Sequence, residues 1–270
     1  MTTSSLPMHD RPNSEVGGHW LLARLGKKVL RPGGLEMTTT LIDAADLKNK
    51  DVVELAPGLG LTARQIVAEG PRSYTGVDKD PDAVARTKAS LAGASSATVV
   101  VNDAKATGLP DNSTDVVFGE AMLTMHGEKG KAAIMAEAFR ILRPGGRYVI
   151  HELCLEPDTL DDAQKLEIRR ALATSIRVNA RPLTTKEWDG VAREAGFEVT
   201  ERHYADMALL RAKRNLQDEG VLGVARIAFN VLRMPDARRR VFAMRSVFNK
   251  YSDNLQAIGV VLTKPAAAAQ

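Results

Sequence analysis

The 270-residue sequence contains one cysteine, Cys154. A single thiol excludes a disulfide framework and any Cys-rich zinc module. Cys154 reads as a small buried hydrophobe. Long apolar runs are missing, and nothing approaches the roughly 18 consecutive apolar residues of a membrane span. The opening residues, MTTSSLPMHDRPNSE, lack the apolar core of a secretory signal. A reducing cytoplasm is therefore the expected compartment. Aromatics make up only 4% of the chain, which leaves few rings to stack on a flipped base. Charge of one sign is scarce too: 37 Lys and Arg against 33 Asp and Glu leave +4, too little to imply nucleic acid alone. Internal repeats of fixed period are absent. What is present, 44% hydrophobic and 26% charged residues, predicts one folded domain of generous size.

Residues 17–30 place Trp20, Leu21, Leu25, Val29 and Leu30 at helical spacing and predict a short amphipathic helix. Arg31-Pro32-Gly33-Gly34 stops it. A second helix is expected over 36–47. From residue 51 the rhythm changes to strands alternating with helices. DVVEL, SYTGVD, ATVVV, TDVVFGE and GRYVIHELC read as strands, with helices over 62–69, 81–91 and 130–142. That alternation predicts βαβ units and a parallel sheet. Residues 161–178 read as helix, and 184–197 as a helix capped by Thr184 and closed by Gly196. FEVTERHY is a sixth strand and 255–265 a seventh. The intervening 205–254 reads as a helical insertion broken at Gly220, Gly223 and Pro235, since a structureless connection of that length does not suit a compact domain. The expected architecture is thus α/β, a doubly wound, Rossmann-like sheet of seven strands. Its parts are a tail and helical cap over 1–48, a core over 49–155, linker helices and the sixth strand over 156–204, a lid over 205–254, the last strand over 255–265 and a tail over 266–270.

The first strand–helix turn, Glu54-Leu55-Ala56-Pro57-Gly58-Leu59-Gly60, is the most informative segment. Small residues let a ligand approach the backbone, and the helix N-terminus offers free N–H groups. Neither the dinucleotide pattern GxGxxG nor a phosphate loop is present. Asp78 ends the second strand, where an acid can accept hydrogen bonds from both hydroxyls of a ribose. Asp103 and Ala104 end the third strand, placed to meet an adenine amino group, and Glu120 follows the fourth. Ligands of open parallel sheets bind at the carboxyl ends of the strands, and all four features lie there.

In order, VVELAPGLG, GVDKDP, VNDAKATGLP, DNSTDVVFGEAMLTM and AEAFRILRPGGRYVIHE resemble the motifs of the class I S-adenosylmethionine-dependent methyltransferases. The resemblance is greatest to the small-molecule group that includes the menaquinone/ubiquinone-biosynthesis enzymes, and it covers about residues 50–155. Ala56 stands where the family's first motif has its first glycine, a departure that a slightly wider turn would absorb. The resemblance implies an antiparallel last strand, S-adenosylmethionine as cofactor and S-adenosylhomocysteine as product. It implies that Glu54, Ala56, Gly58 and Gly60 line the methionine end of the cofactor. Asp78 would bind the ribose, Lys79 flank the adenine, and Asp103 and Ala104 hold its amino edge. Glu120 would sit where the cofactor's amino group and the acceptor meet.

Methyl transfer from a sulfonium is an in-line displacement with a neutral leaving group. It asks for proximity and orientation, a water-poor pocket and at most the removal of one proton, without a metal. His151 is the first candidate for that base and His126 the second, each with a structural reading beside the catalytic one. Glu152 reads either as a site acid or as a group that orients a neighbouring helix. Gly119-Glu120-Ala121-Met122 stands where nucleic-acid amino methylases of the family carry a Pro-Pro-aromatic motif, which argues against such substrates. Trp20, Arg177, Asn179 and Arg181 are candidate acceptor contacts. The arginines offer forked donors for a carboxylate or phosphate, or else compensate a helix dipole. His19, Trp20, Lys27, Lys28 and Arg31 cluster nearby, with both lysines read as solvated charges. The 205–254 insertion holds ten Lys and Arg against five Asp and Glu. Its apolar positions, Val221, Leu222, Val224, Ile227, Phe229, Val231 and Leu232, lie on several sides of a helix and ask for packing. It is expected to be a lid, with attraction of an acidic substrate or of anionic lipid as the other readings.

The expected function is methyl transfer to a small organic acceptor by a cytoplasmic monomer or homodimer. Neither nucleic acid nor stable membrane association is expected. The alternatives are a lipid or quinone headgroup methyltransferase at a membrane surface, and a non-catalytic cofactor-binding regulator.

Overall fold

A computed structural model describes residues 11–28, 30–207 and 212–266. Residues 1–10 of the expected tail and cap and 267–270 of the expected 266–270 tail lie outside these, as do Val29, Arg211 and the side chains of Lys213 and Arg214. The strands are β1 (Asp51–Leu55), β2 (Ser73–Asp78), β3 (Ala97–Val101), β4 (Thr114–Glu120), β5 (Leu142–Leu155), β6 (Leu183–Thr184), β7 (Glu198–Asp206) and β8 (Leu255–Thr263). They form one sheet in the order β3-β2-β1-β4-β5-β8-β7, with the two-residue β6 beside β5. β1 to β5 are parallel, and β8 runs antiparallel to β5 and β7. The expected seven strands and antiparallel last strand are present. β6 is too short to leave a periodic trace in the sequence.

Helices cover both faces. α2 (Gly34–Ala45), α3 (Leu61–Ala68) and α4 (Pro81–Ser90) pack Met37, Leu41, Ile66 and Val84 with Val52, Phe118, Val149 and Val261 of the strands. α5 (Glu128–Ile141) and α7 (Thr185–Glu194) pack Ile134, Ala138 and Trp188 with Val53, Val117, Ile150 and Ile258. Side chains alternate along a strand, so Glu54, Glu120 and His151 share the face of Val52, Phe118 and Val149. They therefore point toward α2 and α3. Gly259 lets α2 approach that face, for a Cβ there would come within 2.7 Å of Leu41 Cδ2. Thr184 caps α7 in a reciprocal box with Glu187, as its position before the helix predicts.

The remaining helices stand over the carboxyl ends of the strands. α1 (Gly18–Arg24) is shorter than the expected 17–30, because the chain turns at Gly26 with φ 101°. α6 (Asp162–Ile176) follows β5. α8 (Ala212–Arg233) breaks at Gly220, with φ 69° and ψ 174°, while Gly223 stays helical. α9 (Pro235–Lys250) begins at the expected proline. Its Ala237 and Met244 pack with Val16, Leu21 and Leu25 of the N-terminal cap.

Two expectations for this region change. Lys27 is buried and pairs with Glu219 at 3.7 Å, so it is not a solvated charge. The start of α8 is pinned to the cap by that pair and by Leu35 N–H donating to Asp218. The apolar positions of α8 are also not all packed: Leu222 is 86% and Leu232 67% exposed. α8 meets α2 and α9, while Val221, Leu222, Phe229 and Leu232 stay exposed. No helix among the described residues is long and apolar enough to cross a membrane.

Candidate functional site

The strand order reverses between β1 and β4, and a crevice forms where their connections depart to opposite sides. A cavity of about 510 Å³ occupies it, within the usual range for small-ligand sites. Glu54, Ala56, Gly58, Asp78, Lys79, Asp103, Ala104 and Glu120 all line it. The turn after β1 is tight. Ala56, at the position of the missing glycine, holds a left-handed φ of 56° and donates its N–H to Val77 O. Ala121 repeats this at the end of β4, with φ 53°. Left-handed backbone costs an L-residue about 1–2 kcal/mol, and both instances fall on the cavity wall, where such strain is commonly kept for function.

Gly58 and Gly60 do different work. Gly58 has φ 58°, and a Cβ there would find only Ala56 O at 3.9 Å and Trp20 Cη2 at 4.0 Å. It keeps open space beside the cavity. Gly60 is not on the cavity wall. Its added Cβ would collide with Ser90 Oγ and stand 3.0 Å from Thr87 Cα, so glycine there lets α3 start against α4.

The acids line up at the strand tips. Asp78 accepts N–H bonds from Gly58 and Asp80 at 3.3 and 3.0 Å, and burial raises its pKa. Glu54 accepts from the Tyr74 hydroxyl at 2.6 Å, and burial pushes its pKa up to about 8. Glu120 behaves oppositely. Burial alone would raise it, but the charge of Arg31 and hydrogen bonds from His151 and Thr38 outweigh burial and hold it well below the usual carboxylate range. Arg31 Nη1 sits 2.6 Å from Oε2, and the hydroxyls of Thr62 and Thr38 each donate at 2.5 Å. Arg31 also donates to Thr62 Oγ1.

His151 closes this network and stands behind the cavity. It is fully buried, and the Gly33 N–H donates to its Nε2 at 2.9 Å. The proton therefore lies on Nδ1, which donates to Glu120 at 2.8 Å. With both nitrogens engaged and no surface on the cavity, His151 has no free lone pair to offer an acceptor. This corrects the first choice of base. His126 does line the cavity, and burial and the charges of Lys105 and Lys79 lower its pKa. Those lysines follow the tips of β3 and β2, away from Glu120. Glu152 is spent on structure: it accepts from the N–H groups of Met122, Leu123 and Thr124 and from the Thr124 hydroxyl.

Of the expected acceptor contacts, Trp20 and Arg177 line the cavity, whereas Asn179 and Arg181 do not. Arg181 Nε instead donates to Asn179 Oδ1 at 3.2 Å. The sequence reading did not assign Thr38 and Thr62 to the site. Thr38 lies in no motif and Thr62 just beyond the first one, and only tertiary contact with Glu120 reveals them.

The residues fit S-adenosylmethionine. Acceptor oxygens at Glu54, Asp78 and Asp103 suit a ligand rich in N–H and O–H donors, and Gly58 leaves room for close approach. Arg31 Nε is buried without a protein partner among the described residues, an open donor suited to a carboxylate. No cluster of His, Cys, Asp or Glu suited to a metal occurs among the described residues.

Comparisons with known proteins agree. A family model described as a methyltransferase domain matches residues 52–146. An uncharacterized protein of Haemophilus influenzae is 35% identical over 251 residues, covering 92% of this chain and 98% of that one. A Haemonchus contortus phosphoethanolamine N-methyltransferase, solved with phosphomonomethylethanolamine and S-adenosylhomocysteine, superposes with a TM-score of 0.69 at 17% identity, over 96% of this chain and 59% of its own. The same protein is also solved with S-adenosyl-L-methionine. The (4+2)-cyclase SpnF superposes at 0.65 and 17% identity, over 86% of this chain and 81% of its own. Such distant likenesses speak for the fold; the matched domain and the donor-fitting cavity speak for the chemistry. The chain thus carries a methyltransferase domain over residues 52–146, set in the fold of the class I S-adenosylmethionine-dependent methyltransferases.

Proposed function

We propose that the protein methylates a small organic molecule, with residues 49–155 as the cofactor-binding core and 205–254 as part of the acceptor-side lid. The observation that carries this reading is the row of acids at the tips of β1, β2 and β3, facing one cavity that α1 and the Arg31 loop roof over. When bound, the cofactor supplies an electrophilic methyl on a sulfonium. In this reading Asp78 accepts from the ribose hydroxyls, Asp103 and Ala104 border the adenine, and Lys79 flanks it. Glu54, Ala56 and Gly58 border the methionine end.

Glu120 and His151 act as positioning residues. Their network draws Arg31 and Gly33, and with them the roof, onto the sheet edge. The roof excludes water and fixes orientation, which is the main demand of an in-line displacement. Calorimetry tests the reading. S-adenosylhomocysteine should bind the wild type saturably, and Asp78→Ala should remove most of that binding without unfolding the chain. Unchanged binding in Asp78→Ala would overturn it.

A further inference from the structure

A second, smaller cavity adjoins the first. Its volume is about 90 Å³, and it shares His19, Leu30, Ala121 and Met125 with the cofactor cavity. Its own walls are Leu22, Leu153, Ile176, Met207, Met244 and Phe248, drawn from α1, β5, α6, the end of β7 and α9. Apart from Leu153 of β5, these residues lie outside the 49–155 core. Resting on the methyl-transfer reading above, we propose that this recess seats the methyl acceptor. It takes the uncharged, apolar end of a small molecule bearing one hydroxyl or thiol, and His19 holds the reacting oxygen or sulfur.

Three observations support the assignment. First, position: the shared wall includes Ala121, the residue after Glu120 at the tip of β4, so a guest there meets the cofactor cavity beside the methionine end. Second, polarity: Glu152 borders the recess, but three N–H groups and the Thr124 hydroxyl occupy its oxygens. No free charge is left to receive an ionic acceptor, and an ion entering without a partner would lose its hydration uncompensated. Third, an available ring nitrogen: the His19 ring touches Trp20, at 4.7 Å between centroids, and makes no hydrogen bond to a described residue. Burial lowers its pKa to about 4, so at neutral pH its lone pair is free to accept from O–H or S–H. Size completes the description. The recess is smaller than the ~150 Å³ cavity that admits benzene, so a short aliphatic chain is its natural guest. Met125, Met207 and Met244 give the wall some adaptability.

The step balances simply. The heteroatom–methyl bond forms as the sulfonium sulfur–methyl bond breaks, and that bonding pair stays on sulfur. The proton of the acceptor passes to the His19 ring and then to solvent.

The test uses the full chain saturated with S-adenosylhomocysteine, titrated with 1-butanethiol and followed by NMR. Butylammonium serves as the charged probe. The assignment expects saturable 1-butanethiol binding, at least tenfold tighter than butylammonium. Met244→Trp and Ile176→Phe should each weaken it at least tenfold, with S-adenosylhomocysteine affinity changed less than twofold. The unchanged affinity also reports that each variant folds. In turnover with S-adenosylmethionine, His19→Phe should slow methylation of 1-butanethiol at least tenfold while its binding persists. Absence of saturable binding, equal binding of butylammonium, or binding indifferent to both filling variants would overturn the assignment. Failure of the wild type to bind S-adenosylhomocysteine would instead overturn the methyl-transfer reading, and the assignment with it.

Discussion

The two halves of the cavity are built in opposite ways. On the cofactor side, each functional residue sits at a strand tip within a contiguous motif: Glu54 to Gly58, Asp78-Lys79, Asp103-Ala104. On the acceptor side, the wall gathers single residues from α1, α6, α9 and the ends of β5 and β7, more than 200 positions apart in the case of Leu22 and Phe248. Local backbone geometry dictates the first, and long-range packing dictates the second. The Glu120 network is the seam between them, because it ties the Arg31 loop to the tip of β4.

Cutting that seam should have the largest effect. Glu120→Ala leaves Arg31 buried without its partner, and breaking a buried pair this way costs about 3–5 kcal/mol. Chemical denaturation should show that loss, with proteolysis concentrated in the roof. Equal stability would mean that the two halves are held together elsewhere. Acid should act on the same bond. The folded pKa of Glu120 is depressed, so its stabilisation is fully present above about 4.5, its ordinary value, and is lost as pH falls below it. A denaturation series from pH 7 to pH 3 should show the wild type losing stability that Glu120→Gln does not.

Next in size is the cofactor side. Removing Asp78 deletes charge-assisted acceptors worth about 1.5–3 kcal/mol, so Asp78→Ala should weaken S-adenosylhomocysteine binding on the order of 100-fold. Gly58→Val should also weaken it, by setting a branched side chain beside the cavity at φ 58°. Glu54 predicts a smaller, protonic effect. Its folded pKa is raised to about 8, so between about 4.5 and 8 the folded apoprotein holds an extra proton and its stability declines as pH rises. A ligand ammonium brought beside Glu54 should reverse the shift. Calorimetry at pH 7 in buffers of different ionisation enthalpy should detect proton release on binding, and Glu54→Gln should abolish it. The smallest effect is expected at Ala56. Ala56→Gly relieves a left-handed alanine but adds chain entropy to the unfolded state, so stability should change by about 1 kcal/mol or less.

The same division explains what could be read in advance. Strands, their alternation with helices and the Thr184 cap follow from two- and four-residue patterns, and they lie where expected. The acids at the strand tips were readable because a strand's end and its following turn occupy adjacent residues. His151 was not readable in this sense. Its position at the tip of β5 resembles that of a base, and only the Gly33 N–H and Glu120, 118 and 31 residues away, reveal that both nitrogens are taken. Gly60 looked like part of the cofactor turn, yet Ser90 and Thr87 of α4 are what require it. Lys27 looked solvated because its partner, Glu219, lies far along the chain in α8. The opening of α8 is pinned, while Leu222 and Leu232 remain uncovered, a difference that composition alone does not encode.

The most direct test of this division is one set of calorimetric titrations with S-adenosylhomocysteine on the wild type, Asp78→Ala and Met244→Trp. Cofactor binding set by the strand tips alone predicts that the wild type and Met244→Trp bind alike, within about twofold, while Asp78→Ala binds on the order of 100-fold more weakly. Equal binding by Asp78→Ala and the wild type would contradict it.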